Sequence, residues 1–159
     1  MAAQDSNTNK NVVVMAMDGS DTASRAFEWY RQHLHRQGNY IVFVHCPELH
    51  LNVHVLPPYS DLTQLEKEVQ LASKRADEMV FDLTQMLHSY KMTGEVKVLL
   101  GKKPEEGILE AARDVEADVI VMGSRGFGTL RRTVLGSVSN YVLHHSDVPV
   151  VVCSAKHNV

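Results

Sequence analysis

Short apolar segments alternate with segments of helical periodicity along most of the chain. Each apolar segment is rich in valine and lacks regular polar positions, which is typical of a strand buried on both faces. The predicted strands are residues 12–17, 40–46, 95–100, 118–122 and 148–153. Because a helical segment separates each strand from the next, the pattern predicts a parallel sheet covered by helices on both faces.

In the segments between these strands, apolar side chains recur at steps of three and four residues. The predicted helices are residues 23–34, 62–90, 104–115 and 133–145. The longest of them has apolar positions from Leu62 through Val69 to Tyr90, which predicts an amphipathic helix of about eight turns. In the last helix we expect Tyr141 to face inward. Pro149, near the start of the fifth strand, favours an edge position for that strand.

The order β-α-β-α-β-α-β-α-β and the length of 159 residues predict a single α/β domain. We place this domain at residues 11–155, after a polar lead-in at residues 1–10 that we expect to be disordered. Cys46 and Cys153 fit core thiols of a reducing compartment rather than a disulfide framework. With no apolar signal segment at the start, the sequence predicts a cytoplasmic protein.

Charge and hydropathy argue against two classes of partner. The net charge is −3 and the sequence pI is about 6.3, whereas nucleic-acid binders usually carry a strongly basic face. No apolar run reaches the roughly 18 residues that a membrane span requires. We therefore expect neither a nucleic acid nor a membrane as partner.

A glycine-containing segment follows the fourth predicted strand. Gly123, Gly126, Gly136 and Ser137 form the spacing G-x2-G-x9-G-S. Open parallel sheets bind ligands outside the carboxyl ends of their strands, glycine lets a backbone approach a ligand closely, and a helix N-terminus favours an anion. The segment therefore predicts a phosphate site, where the hydroxyls of Ser137 and Ser139 donate to phosphate or reach a metal. Because glycines are common between a strand and a helix, a purely structural loop is the alternative.

Other phosphate-binding and nucleophile patterns do not match this sequence. The P-loop, the dinucleotide fingerprint and the serine elbow each require a glycine spacing that is absent here. His50 and His54 have the spacing H-x-x-x-H but no third ligand, so we predict no metal site on protein side chains. Loop arginines either neutralise phosphate charge or remain solvated. They are Arg125, Arg131 and Arg132.

Taken together, these segments resemble the universal stress protein family, in the branch that binds ATP. The G-x2-G-x9-G-[ST] spacing is the nucleotide signature of that branch. The resemblance covers about residues 11–154 and includes VMAMDGS at 14–20, DVIVMGSRGFG at 118–128 and LGSVSNYV at 135–142. It implies a sheet order of 3-2-1-4-5, with the ligand between the first and fourth strands. At position 17 this chain departs from the family pattern, since Met17 stands where a proline is frequent in relatives.

The resemblance also implies the ligand and its contacts. The ligand is ATP, or ADP or AMP, with Mg²⁺, and relatives usually dimerise through the last strand, here residues 148–153. Asp18 contacts the ribose or a metal-linked phosphate, although the same carboxylate has an alternative role as a helix N-cap. The adenine edge is formed by Ala16, Met17, His45 and Cys46. The ribose packs on Met122 and Gly123. The phosphates are held by Gly126, Gly136, Ser137, Val138 and Ser139. To these we add Arg125, one of the loop arginines, as a phosphate contact.

The sequence is compatible with three functions. The first is a stress-response regulatory module that binds an adenine nucleotide, since no catalytic set is evident and only Asp18 and His45 offer a general base. The second is a weak ATP hydrolase, and the third is a nucleotide-free dimeric scaffold. The glycine spacing favours the first, with slow hydrolysis at most.

Overall fold

The computed structural model describes residues 11–47, 62–124 and 135–154, and these form one α/β unit. The strands are β1 (Val12–Ala16), β2 (Tyr40–His45), β3 (Thr93–Val98), β4 (Val119–Gly123) and β5 (Val150–Cys153). The helices are α1 (Asp21–His33), α2 (Leu62–Ser89), α3 (Pro104–Asp114) and α4 (Ser137–His145). All strand pairs are parallel in the order β3-β2-β1-β4-β5, which confirms the predicted architecture and the edge position of β5.

The sheet is buried on both faces because alternate residues of each strand enter different cores. Val13 and Met15 of β1 pack with α1 and α2, whereas Val14 packs with α3 and α4. Phe27 and Phe43 meet edge to face in the first core, with ring centroids 5.7 Å apart. This arrangement explains why the strands read as continuous apolar runs.

Several predicted boundaries were wrong by a few residues. β3 starts at Thr93 rather than 95, because α2 ends at Ser89 and the chain reverses at Lys91, which has a positive φ of 53°. α4 starts at Ser137 rather than 133, because Gly136 is extended, with φ −64° and ψ 156°, and acts as its N-cap.

Four side chains predicted to face inward are exposed instead: Leu34, Val69, Tyr90 and Tyr141. α2 has 28 residues and is about 42 Å long, whereas a six-residue strand spans roughly 20 Å, so its first turns extend beyond the sheet and leave Val69 without a core. Leu34 follows the end of α1 as its C-cap. Tyr90 lies just beyond α2 and packs on Phe27, with ring centroids 5.4 Å apart.

A polar cluster near the end of α1 predicts how stability depends on pH. Asn39 Nδ2 donates to the buried Tyr30 hydroxyl at 2.9 Å, and that hydroxyl lies 3.2 Å from His35 Nδ1. Since Tyr30 accepts from Asn39, its own hydrogen is available to a neutral His35. Burial lowers the pKa of His35 below its usual value of about 6.5.

We therefore expect acidification to destabilise the protein through His35. Below about pH 6.5 the unfolded chain binds a proton at this position that the folded chain resists, so this contribution to stability is complete above pH 6.5 and declines as pH falls. The fall in Tm between pH 7.5 and 5.5 should be larger in the wild type than in His35→Gln. Equal falls in the two proteins would contradict this assignment.

Candidate functional site

The candidate site lies at the carboxyl ends of β1 and β4, where the strand order reverses. The chain leaves β1 for α1 on one face of the sheet and leaves β4 for α4 on the other face. In open parallel sheets a divergence of this kind forms a crevice at the switch point, which is the usual ligand site of such folds.

The turn after β1 presents the Asp18 side chain at the surface. Asp18 Oδ1 accepts the Ser20 N–H at 2.9 Å, and Gly19 between them has a φ of 82°. The N-cap of α1 is Ser20, whose Oγ accepts the Ala23 N–H at 3.2 Å. The alternative role of Asp18 as N-cap is therefore wrong, since Ser20 caps α1 and the exposed Asp18 fixes the turn by accepting the Ser20 N–H.

Packing against α1 requires a glycine at position 123. A Cβ on Gly123 would lie 2.8 Å from the carbonyl carbon and 2.9 Å from the oxygen of Thr22, both main-chain atoms of the first helical turn. Only glycine lets β4 end this close to α1. The same contact brings the Asp18 turn and the start of the glycine segment together.

Two contacts to the Ser124 carbonyl, from the Gly136 N–H and from the Ser139 hydroxyl, join the two ends of the glycine segment. Gly136 N–H donates to the Ser124 carbonyl at 2.7 Å, and Ser124 N–H donates to the Cys153 carbonyl at 2.8 Å. The buried Ser139 hydroxyl lies 3.0 Å from the carbonyls of both Ser124 and Gly136. Arg125, Gly126, Arg131 and Arg132 lie outside the described residues, as do His50 and His54.

The start of α4 differs from the starts of α1 and α3 in a way that suits an anion. Gly136 caps α4 without a side-chain hydrogen bond, and the first turn carries no acidic residue. In contrast, α1 is capped by Ser20 and carries Asp21, while α3 carries Glu105 and Glu106 in its first turn. Carboxylates there compete with an anion for the positive end of the helix.

Within that first turn the predicted phosphate-binding residues separate into two groups. Ser137 is exposed and Val138 is half-buried, so their backbone N–H groups lie at the surface end of the helix. Ser139 is only 2% exposed, and its hydroxyl hydrogen is donated within the protein. A direct donation from Ser139 to phosphate would therefore require breaking these contacts.

Two hydrogen bonds to backbone carbonyls hold the predicted adenine edge together. Met17 N–H donates to the Val44 carbonyl at 2.9 Å, and His45 Nδ1 lies 2.8 Å from the Met17 carbonyl. Because a carbonyl only accepts, Nδ1 carries the hydrogen, and Nε2 of neutral His45 is an acceptor. Ala16 is half-buried beside Met17 at the end of β1.

Cys46 and Met122 are turned into the core that lies beneath α3 and α4. The Cys46 sulfur lies 2.7 Å from the position of a Cβ on Gly107 of α3. Burial, with the nearby charges of Glu105 and Glu110, raises the pKa of Cys46 to about 11, so its thiol is protonated at neutral pH. Met122 is 3% exposed. The side chains of both residues therefore belong to the core beside the candidate site.

Sequence reasoning missed the contributions of Thr22 and Ser124. Ser124 is an unspecified position of the glycine signature, and Thr22 is separated by about a hundred residues from the glycine that it contacts. Neither contact leaves a local pattern in the sequence. Only the D-G-S-D turn cluster at 18–21 offered a signal, for the cap at Ser20.

No metal site is formed by side chains alone within residues 11–47, 62–124 and 135–154, since these contain no suitable group of three or more His, Cys, Asp or Glu. Magnesium is commonly held by one or two carboxylates together with substrate phosphates. The exposed Asp18 fits the carboxylate part of such a set.

The fold agrees with the comparison to known families. The family model described as "Universal stress protein family" matches residues 9–154. The chain belongs to the universal stress protein family.

Two curated relatives show how far the similarity to other universal stress proteins extends. The universal stress protein in the QAH/OAS sulfhydrylase 3′ region of Thermus aquaticus is 31% identical over 143 residues, covering 88% of this chain and 96% of that protein. Stress response protein NhaX of Bacillus subtilis is 34% identical over 96 residues, or 60% of this chain. That match spans 56% of NhaX, about half the length of this relative.

Solved universal stress proteins share the fold. UspA from Lactobacillus plantarum superposes with a TM-score of 0.74 at 20% identity, covering 89% of this chain and 96% of that one. A family member from Arabidopsis thaliana with AMP bound gives 0.67 at 19% identity, covering 93% and 94%. A universal stress protein in complex with cAMP gives 0.63 at 21% identity, covering 92% and 98%.

None of the helices that the structure describes combines the length and apolar character needed to cross a lipid bilayer.

Proposed function

We propose that this universal stress protein binds an adenine nucleotide, ATP, ADP or AMP, in the crevice between β1 and β4, and acts as a regulatory module in the cytoplasm. The observation that carries the proposal is the start of α4, where the N-cap Gly136 makes no side-chain hydrogen bond, the first turn has no acidic residue and the glycine segment ends. Relatives of the same fold that were solved with AMP or cAMP support the choice of adenine.

In this proposal each part of the crevice has a role. The phosphates lie between Gly126 and the start of α4, beside Gly136 and at the backbone N–H groups of Ser137 and Val138, with Arg125 neutralising charge. The ribose lies near Gly123, and Asp18 faces the ribose or a phosphate-bound Mg²⁺. The adenine lies against the ends of β1 and β2, where the acceptor Nε2 of His45 suits an amino group.

Binding without rapid turnover is the form of the proposal that the described residues favour. Hydrolysis requires a base within hydrogen-bond reach of the attacking water. Asp18 is the carboxylate on the β1 turn, and one of its oxygens is already engaged by the Ser20 N–H. A turnover that falls in Asp18→Ala would support the weak hydrolase instead.

We also propose that the protein forms a homodimer through residues 148–153. Among the described residues β5 pairs only with β4, so its other edge is available to pair with a second chain. On α4, which packs beside β5, Tyr141 and Leu143 are exposed and offer apolar area for such a contact.

The test begins with the protein as purified. After denaturation, any released nucleotide is identified by chromatography, and light scattering on the native sample gives the mass of the assembly. Protein stripped of nucleotide is then titrated calorimetrically with ATP, ADP and AMP, with and without Mg²⁺, and with GTP as a base-specificity control. We expect micromolar binding of at least one adenine nucleotide and much weaker binding of GTP.

Gly136→Val is the matched control for this titration. The backbone of Gly136, with φ −64° and ψ 156°, is accessible to any residue, so the variant should fold. Its isopropyl group would stand beside the phosphates, and we expect affinity to fall at least tenfold. An intact dimer that binds no nucleotide would overturn the proposal in favour of the nucleotide-free scaffold.

A further inference from the structure

Ser139 occupies an unusual position for a serine near a proposed ligand site. It lies in the first turn of α4 but is 2% exposed, so its hydroxyl faces the protein interior. Its Oγ lies 3.0 Å from the Ser124 carbonyl and 3.0 Å from the Gly136 carbonyl. These carbonyls stand at the two ends of the segment 125–135.

The same carbonyls receive a second donor each. The Ser124 carbonyl also accepts the Gly136 N–H at 2.7 Å, and the Gly136 carbonyl also accepts the Asn140 N–H at 2.8 Å. A carbonyl oxygen has two lone pairs, and a hydroxyl has one hydrogen that two acceptors can share in a three-centre bond. Ser139 thus completes the hydrogen bonding of both carbonyls at once.

We propose that Ser139 is a positioning residue that fixes the two ends of the glycine segment relative to each other, and so orients the N–H groups that receive the phosphates. This inference rests on the proposed nucleotide function. Ser139 does not touch the ligand, because its hydrogen is already donated and its surface is covered. It acts through Ser124 and Gly136.

The energetic consequence of losing this hydroxyl is local. In Ser139→Ala each carbonyl keeps one donor, so no buried polar group is left without a partner and the fold should survive. Of the hydrogen bonds between described residues, the one from Gly136 to Ser124 then remains to join the two ends. Preorganisation at the phosphate site is reduced, whereas the base and ribose contacts are unchanged.

The experiment compares ligands with and without phosphate. For Ser139→Ala we expect the affinity for AMP and ATP to fall about tenfold, while the affinity for adenosine stays within about twofold of wild type. Ser139→Thr retains a hydroxyl that can reach the carbonyl three residues earlier, Gly136, and should restore most of the loss. Ser24→Ala is the matched control, since Ser24 Oγ donates to the Ser20 carbonyl at 3.2 Å in the first turn of α1.

A second readout needs no nucleotide. Trypsin cleavage at Arg125, Arg131 and Arg132 of the unliganded protein should be faster in Ser139→Ala than in wild type, Ser139→Thr or Ser24→Ala. If the wild type binds no nucleotide, the proposed function fails. The cleavage rates then test by themselves whether Ser139 fixes the two ends of the glycine segment.

Two results would overturn the inference. Unchanged cleavage with weaker AMP binding would make Ser139 a direct phosphate ligand. Equal losses for adenosine and AMP would make its role one of general stability.

Discussion

Replacing Gly123 by alanine should destabilise the folded protein by about 2–3 kcal/mol, which corresponds to a fall in Tm of roughly 4–12 °C. The added Cβ would lie 2.8 Å from the carbonyl carbon of Thr22 and 2.9 Å from its oxygen. Both atoms belong to the backbone of α1, so relief requires moving the whole helix away from β4. Urea or thermal denaturation of the two proteins measures the effect.

Gly107→Ala is a stringent control because the added Cβ would have an even shorter nearest contact than the Cβ added at Gly123. A Cβ on Gly107 would lie 2.7 Å from the Cys46 sulfur and 3.2 Å from Leu99 Cδ1, but both atoms are ends of side chains that can rotate. Alanine also gains about 1 kcal/mol over glycine in a helix interior. We expect a net change within about 1 kcal/mol of zero.

The pair of variants separates two explanations for the glycine that begins the signature spacing. If Gly123→Ala retains wild-type stability but loses nucleotide, Gly123 is present for the ligand. The contact with Thr22 instead indicates that the fold itself requires glycine at this position. Part of the G-x2-G-x9-G-S spacing is therefore explained by packing of α1 on β4, whatever the ligand.

The element order was predictable because each strand is a valine-rich run and each helix has a distinct periodicity. The strand order was not predictable from pattern, because Val13, Val42 and Val121 occupy equivalent apolar positions in different strands. It came from the resemblance to the family. The predicted ends of helices and strands were wrong where the backbone conformation of a single residue determines them, as at Lys91, which has a positive φ.

Predicting the candidate site succeeded for local features and failed for distant ones. The turn cluster at 18–21 indicated a cap but did not separate Asp18 from Ser20, and the structure uses both in succession. The interior role of Ser139 depends on a carbonyl fifteen residues earlier and on burial by the folded core. Neither is encoded in the spacing of the signature.

Introducing a carboxylate at the start of α4 should affect stability and nucleotide binding in opposite directions. Ser137 is exposed in the first turn of α4, which has no acidic residue and no side-chain cap. Ser137→Asp should stabilise the protein by about 0.3–1 kcal/mol through the helix dipole. Within about 4–6 Å of a bound phosphate, the same charge should cost about 1–3 kcal/mol, or roughly 5- to 150-fold in affinity.

Ser137→Asn is the matched control for this charge. It has nearly the same shape and hydrogen-bonding capacity as aspartate but no charge, so its affinity for AMP should stay close to that of wild type. The penalty in Ser137→Asp should also shrink at about 1 M salt, where the Debye length is about 3 Å. If Ser137→Asp becomes more stable but binds AMP as tightly as Ser137→Asn does, the phosphate does not lie at α4. The nucleotide would then have to be held elsewhere along the crevice, with the start of α4 serving only to close the glycine segment. A loss of affinity that is equal in both variants would instead indicate that the Ser137 hydroxyl, rather than the field of the helix, contacts the ligand.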